Sequence, residues 1–162
     1  MPSSSSLGKQ RIQQWFETQD FKTVLDLGIG DGTYPKLLGD KYEWTGIEIY
    51  YPYIEQFGLD KLYNEIIIGD IRHLYLPYTD CVIAGDILEH LKKQDALKMI
   101  YRLCDRYKHV VISIPINYPQ DNYKENKFEK HLSIWTFEEL DNLIPDSFKI
   151  RELFGNIAIF IK

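Results

Sequence analysis

Two groups of residues in this chain have the types and spacing to do chemistry. The first is the turn Asp26-Leu27-Gly28-Ile29-Gly30-Asp31-Gly32. Glycines there permit positive φ and clear side chains from the approach of a ligand to the backbone. Thr33 stands where a GxGxxG fingerprint would place its third glycine, so the spacing is GxGxG. Glu48 follows twenty residues after Gly28, at the end of a second apolar run. A carboxylate in that place can accept hydrogen bonds from both hydroxyls of a ribose. Gly69-Asp70 closes a third run and Asp86 a fourth.

The second group is Asp86-Ile87-Leu88-Glu89-His90, with His131 far downstream. On a helix, positions i, i+3 and i+4 share a face, so Asp86, Glu89 and His90 are expected to converge. Carboxylates and imidazoles gathered at one point can move a proton, or hold a divalent ion that keeps positions open for oxygen ligands. The same residues have plainer uses. Asp86 and Glu89 suit a helix N-terminus, and His131 can bond within its own loop. Tyr118, Tyr123, Phe128 and Trp135 offer either an aromatic wall or loop packing. Tyr50, Tyr51 and Tyr53 offer either a ligand cover or a helix start. Lys124, Lys127 and Lys130 form a modest basic face able to meet an anion.

Positioning these groups requires a sheet. With 162 residues, 44% hydrophobic and 27% charged, the chain matches one ordinary domain. Five short apolar runs, TVLDLG, EWTGIEI, EIIIGD, DCVIAGD and HVVISIP, alternate with segments long enough for helices. Ile12, Trp15 and Phe16 mark an amphipathic first helix, and a longer helix is expected from about Leu88 to Tyr107. This alternation predicts a doubly wound, mainly parallel α/β sheet, whose ligands lie beyond the carboxyl ends of the strands. SFKIRELF and NIAIFIK, joined at Gly155-Asn156, predict a C-terminal antiparallel hairpin. Before it lies a long polar loop and a short helix with Thr136 as N-cap and Glu139 at the capping-box position. Residues 1–8 are Ser-rich and expected to be flexible, leaving 9–162 as the single domain.

Several classes are disfavoured. No apolar stretch approaches the roughly 20 residues of a membrane span, and the start lacks a signal peptide's apolar core, so a cytoplasmic setting is expected. Cys81 and Cys104 form no CxxC pair and read as buried free thiols. A net charge of −5 gives no general attraction for a polyanion.

Taken together, VLDLGIGDG, the acid Glu48, Gly69-Asp70 and an apolar run ending in Asp86 resemble class I S-adenosylmethionine-dependent methyltransferases over residues 22–162. The resemblance implies a Rossmann-like fold whose sheet ends in an antiparallel strand. It also implies a cofactor site in which Gly28, Gly30 and Gly32 line the methionine and ribose portions and Glu48 holds the ribose. Asp70, with Ile71 beside it, would meet the adenine, Asp26 would support the loop and the ammonium end, and Asp86 would stand on the cofactor side. The D-x-x-E-H segment and the later K-H-L-S-I-W-T are similar to metal-dependent small-RNA 3′-end 2′-O-methyltransferases. There an E-x-x-E-H motif and a later histidine bind the ion, which maps to Asp86, Glu89, His90 and His131. Aspartate at the first place has a shorter arm than the glutamate of that family. The L-E-H segment with a downstream H-x-S-x-W occurs in metal-free and sugar-modifying methyltransferases as well. The expected activity is methyl transfer to a hydroxyl of a small-molecule or carbohydrate acceptor, assisted by Glu89, His90 and His131, with or without Mg²⁺ or Mn²⁺. The alternatives are 2′-O-methylation of an RNA end and a non-catalytic cofactor-binding or interaction module.

Overall fold

The structure is a computed structural model and describes residues 5–162. Strands β1 (Thr23–Leu27), β2 (Glu43–Glu48), β3 (Glu65–Ile68), β4 (Cys81–Gly85) and β5 (His109–Pro115) are joined by parallel pairings. β6 (Ile150–Phe154) and β7 (Ile157–Ile161) form the expected hairpin, and β7 runs antiparallel to β5. The order across the sheet is β3-β2-β1-β4-β5-β7-β6. All five apolar runs are therefore strands, and the architecture is the Rossmann-like doubly wound sheet that the alternation predicts.

Near-continuous apolar strands follow from burial on both faces. Leu25, Leu27, Val82, Ala84, Val110 and Ile112 point into one core layer with Trp135 and Phe160. Val24, Ile83 and Val111 point into the other, with Ile12, Phe16 and Trp44. Helix α1 (Lys9–Glu17) supplies Ile12 and Phe16. α2 (Thr33–Leu38) begins directly after the glycine turn, and α3 (Pro52–Phe57) carries proline in its first turn, where no backbone donor is needed. α4 (Lys93–Arg106) buries Ala96, Met99, Ile100 and Leu103. α5 (Phe137–Leu143) is capped by Thr136, whose hydroxyl accepts the Glu139 N–H at 3.1 Å. The Glu139 side chain does not close the capping box but takes the Lys93 ammonium at 2.6 Å.

The helix expected from Leu88 is broken. Leu88–His90 form a single 3-10 turn, Leu91 and Lys92 are extended, and α4 starts at Lys93. The cause is competition for a backbone acceptor: the Glu89 carbonyl receives the N–H groups of Leu132 (2.8 Å) and Ser133 (3.0 Å), so it is taken by the distant loop. Asp86, Glu89 and His90 consequently share no helical face. At the N-terminus, residues 1–4 of the segment expected to be flexible lie outside the described residues, whereas the Ser5 N–H donates to Asp86 Oδ2 at 3.1 Å.

Winding reverses between β1 and β4, and the loops leaving these two strands touch. A Cβ at Gly28 would lie 2.5 Å from Ile87 Cδ1, and Gly28 has φ +70°. Tyr34 packs closely on Gly85, where a Cβ would come within 2.2 Å of the tyrosine oxygen. Gly85→Ala is therefore expected to overpack this layer and destabilise the fold by about 1–3 kcal/mol, read from the urea midpoint. A variant as stable as the parent would show that Tyr34 can move away freely.

Candidate active site

A cavity of about 710 Å³ opens at the carboxyl ends of the strands. Gly28 and Gly30 from the β1 turn, Glu48 from β2 and Asp70 with Ile71 after β3 line one half. Gly32 is not in the lining; it starts α2 in a left-handed conformation. Glu48 is buried, and its carboxylate accepts the Tyr50 N–H at 2.8 Å and the Gly30 N–H at 3.2 Å. Burial raises its pKa to about 7 against the lowering effect of those two bonds. Asp70 accepts the Arg72 side chain at 3.0 Å, and this partner keeps its carboxyl below the usual range. Arg72 also lines the cavity, a contribution the motif did not indicate.

Asp26 lies under the turn rather than on the cavity wall. It is fully buried, accepts the Tyr63 hydroxyl at 2.6 Å, and is pushed by burial to about 7. Its geometry fits support of the turn from below. Of the three tyrosines after Glu48, Tyr53 is buried in α3 and donates to Glu129 at 3.0 Å, while Tyr51 is exposed.

The other half of the cavity is walled by Asp86, Glu89, His90 and the loop carrying His131. His90 Nδ1 lies 3.2 Å from the Lys130 carbonyl oxygen, and His131 Nδ1 lies 2.7 Å from that of Tyr118. A carbonyl only accepts, so each ring donates from Nδ1 and keeps its lone pair on Nε2. His131 Nε2 is 3.9 Å from Glu89 Oε1, and the two imidazoles meet edge to face at 4.8 Å. Burial and the neighbouring His131 lower His90 to about 4, and burial also lowers His131, so both rings are neutral at pH 7. Glu89 is buried, its carboxyl raised well above the usual range by burial and by Asp86, and its Oε2 has no hydrogen-bond partner among the described residues.

One ligand atom from each of Glu89, His90 and His131 falls within 4.8 Å of the others. Asp86 is outside this cluster. Its Oδ1 accepts the Ser113 hydroxyl at 2.9 Å, and its Oδ2 faces Ser5 and Lys9. Of the candidate aromatic wall, Tyr118 and Phe128 line the cavity, Tyr123 does not, and Trp135 is core. Lys127 and Lys130 line it also, with Lys130 3.3 Å from Asp121.

A family profile described as a methyltransferase domain matches residues 25–112, more than half of the chain. The chain is a class I S-adenosylmethionine-dependent methyltransferase. No curated protein matches it in sequence. Among solved structures, a S-adenosylmethionine-dependent methyltransferase from Clostridium acetobutylicum superposes with a TM-score of 0.72 at 13% identity, over 97% of this chain and 91% of that one. The N-terminal domain of EvdMO1, solved with S-adenosylhomocysteine and D-fucose, gives 0.67 at 12% identity, over 98% and 82%. The mitomycin 7-O-methyltransferase MmcR gives 0.63 at 14%, over 95% of this methyltransferase but only 53% of its own length. At such identities the likeness is one of fold. No helix among the described residues is long and apolar enough to cross a membrane.

The charge state of Glu48 leads to a pH dependence. With its pKa raised to about 7, the carboxyl is neutral below that value and ionised above it. A ligand whose hydroxyls donate to Glu48 is therefore held more tightly as pH rises. S-adenosylhomocysteine affinity measured by calorimetry is expected to rise about tenfold from pH 6 to pH 8 in the parent and to stay flat in Glu48→Gln. An equal rise in both proteins would move the effect to another group.

Proposed function

We propose that the methyltransferase transfers the methyl group to a hydroxyl oxygen of a small-molecule or carbohydrate acceptor, with His131 receiving the proton and Glu89 and His90 completing the acceptor site. The observation that carries this reading is a convergence of polar groups: one ligand atom from each of Glu89, His90 and His131 lies within 4.8 Å of the others, and the buried Glu89 Oε2 has no hydrogen-bond partner among the described residues. A hydroxyl-bearing substrate, donor and acceptor at once, can pair with the His131 lone pair and with the Glu89 carboxyl. On the cofactor side, Gly28, Gly30, Glu48, Asp70, Ile71 and, where the two halves of the cavity meet, Asp86 are the residues we assign to S-adenosylmethionine, with Asp26 and Gly32 shaping the turn from behind.

Methyl transfer from a sulfonium is an in-line displacement, so the protein's main contribution is alignment of the acceptor oxygen. One cavity is lined both by the glycine turn and by His131, which supports a cofactor and an acceptor sharing it. A neutral His131, held by the Tyr118 carbonyl with Nε2 free, is prepared to take the hydroxyl proton as the new C–O bond forms. Tyr118 and Phe128 give the mouth faces on which a sugar ring can stack. An O-methyltransferase and a domain solved with D-fucose among its structural neighbours agree with such an acceptor.

The same orphaned Glu89 oxygen favours a second reading, in which a divalent cation sits on Glu89, His90 and His131. One carboxylate and two imidazoles oriented through Nδ1 suit Mn²⁺ or a similar first-row ion better than the oxygen-seeking Mg²⁺. Such an ion would lower the pKa of a bound hydroxyl and favour vicinal diols, among them the terminal ribose of an RNA.

His131→Ala is expected to lower methyl transfer to hydroxyl acceptors about 100-fold or more while S-adenosylmethionine affinity stays within about threefold. Retained turnover would remove His131 from the proton-transfer role. For the cation, Mn²⁺ titrated into the protein and followed by electron paramagnetic resonance should show one site, lost in Glu89→Gln. No binding at millimolar Mn²⁺ would retire the metal reading and leave the imidazole as base.

A further inference from the structure

Lys9, on the first turn of α1, is buried at 5% exposure. Lysine is almost never fully buried unless paired. Its Nζ donates to the Tyr34 hydroxyl at 2.6 Å and lies 3.9 Å from Asp86 Oδ2. Burial opposes its charge, yet Tyr34, Asp86 and Asp26 outweigh that effect and the pKa shifts upward, so the ammonium persists. Tyr34 is itself buried and packs closely on Gly85, the residue before Asp86. Asp86 itself has φ +52°, a conformation a non-glycine residue keeps only when its surroundings hold it. Its N–H donates to the Ser113 carbonyl at 2.7 Å, its Oδ1 accepts the Ser113 hydroxyl, and its Oδ2 accepts the Ser5 N–H. Asp86 and Ser5 line the cavity while Lys9 stands behind them.

We infer that Lys9 is a positioning residue of the methyl-transfer site: its ammonium fixes the Asp86 carboxylate on the cavity wall and, through that carboxylate, makes the segment at Ser5 part of the site. The inference rests on the reading of Asp86 as a cofactor-side group. Asp86, a fixed anion beside the glycine turn, favours the sulfonium of S-adenosylmethionine over the neutral thioether of its product. Lys9 contributes by holding the anion in place, because a cation acting simply through space would repel the sulfonium.

Calorimetric titration of S-adenosylmethionine and S-adenosylhomocysteine into the parent chain, Lys9→Met, Asp86→Asn and the double variant tests this. Each single change is expected to weaken S-adenosylmethionine binding roughly tenfold or more and to erode the preference over S-adenosylhomocysteine. The double variant should bind no worse than the weaker single, since Lys9 acts through Asp86. Losses that multiply, parent-like binding by Lys9→Met, or tighter binding of the sulfonium by Lys9→Met would each overturn the inference. Parent-like binding by Asp86→Asn would instead overturn the reading of Asp86 on which it rests, and no binding by the parent would overturn the cofactor site as a whole. Circular dichroism establishes folding. Should Lys9→Met not fold, the same cycle with Tyr34→Phe, which removes the hydroxyl partner of Lys9, decides by the same criteria.

Discussion

The pairing of β1 with β4 is the contact on which the remainder of this structure depends. The chain builds β1, β2 and β3 outward in one direction and then returns to lay β4 against the opposite side of β1. The chain therefore leaves β1 and β4 toward helices on opposite faces of the sheet, and the two loops border a crevice at the carboxyl ends of the strands. Both strands must end in residues small enough for this geometry. Gly28 meets Ile87 across the crevice, and Gly85 receives the Tyr34 ring. The glycines thus serve packing between the two halves of the sheet as much as ligand access.

That arrangement concentrates acids in a poorly solvated place. Asp26 and Glu48 both rise to about 7 through burial, and burial with Asp86 holds Glu89 well above its ordinary range. Raised carboxyl pKa values mean that the folded protein binds protons the unfolded chain has released. The stabilising contribution of Asp26 and Glu48 is thus present below about pH 4 and is lost as pH rises through about 7. The fold tolerates the ionised forms through particular donors: Tyr63 for Asp26, the Gly30 and Tyr50 amides for Glu48, and Ser113, Ser5 and Lys9 around Asp86.

Much of this was legible in the sequence. Each strand is a local apolar run whose period and flanking turns are visible within ten residues, so β1 through β7 could be read directly. The glycine turn, Glu48 and Asp70 could be placed at the cavity because they directly follow or close strands, as the structure has them. The residues that were missed act across long separations. Lys9 reaches Asp86, Arg72 reaches Asp95, and Tyr63 reaches Asp26 only after the sheet has formed. A lysine at the start of an amphipathic helix ordinarily faces water, and no local pattern marks the one that faces inward. Trp135 shows the converse. Its place in an aromatic-rich loop admitted a role in the acceptor wall, but the bridge from Ile116 draws it into the core.

The break after His90 shows how a failed local expectation can disclose a site. Helical periodicity runs unbroken through Leu88 to Tyr107, and a helix there would direct Glu89 and His90 by its own geometry. The backbone instead surrenders the Glu89 carbonyl to the amides of Leu132 and Ser133. This single acceptor fastens the loop immediately after His131 to the residue whose carboxylate faces that imidazole. The Lys130 carbonyl closes the circuit by receiving His90 Nδ1. Main-chain carbonyls of the loop, Lys130 for His90 and Tyr118 for His131, thus orient both imidazoles, and the contacts of His131 with His90 and Glu89 complete the cluster. Such a scaffold leaves their remaining lone pairs directed at whatever enters the cavity, which is the condition for preorganised catalysis.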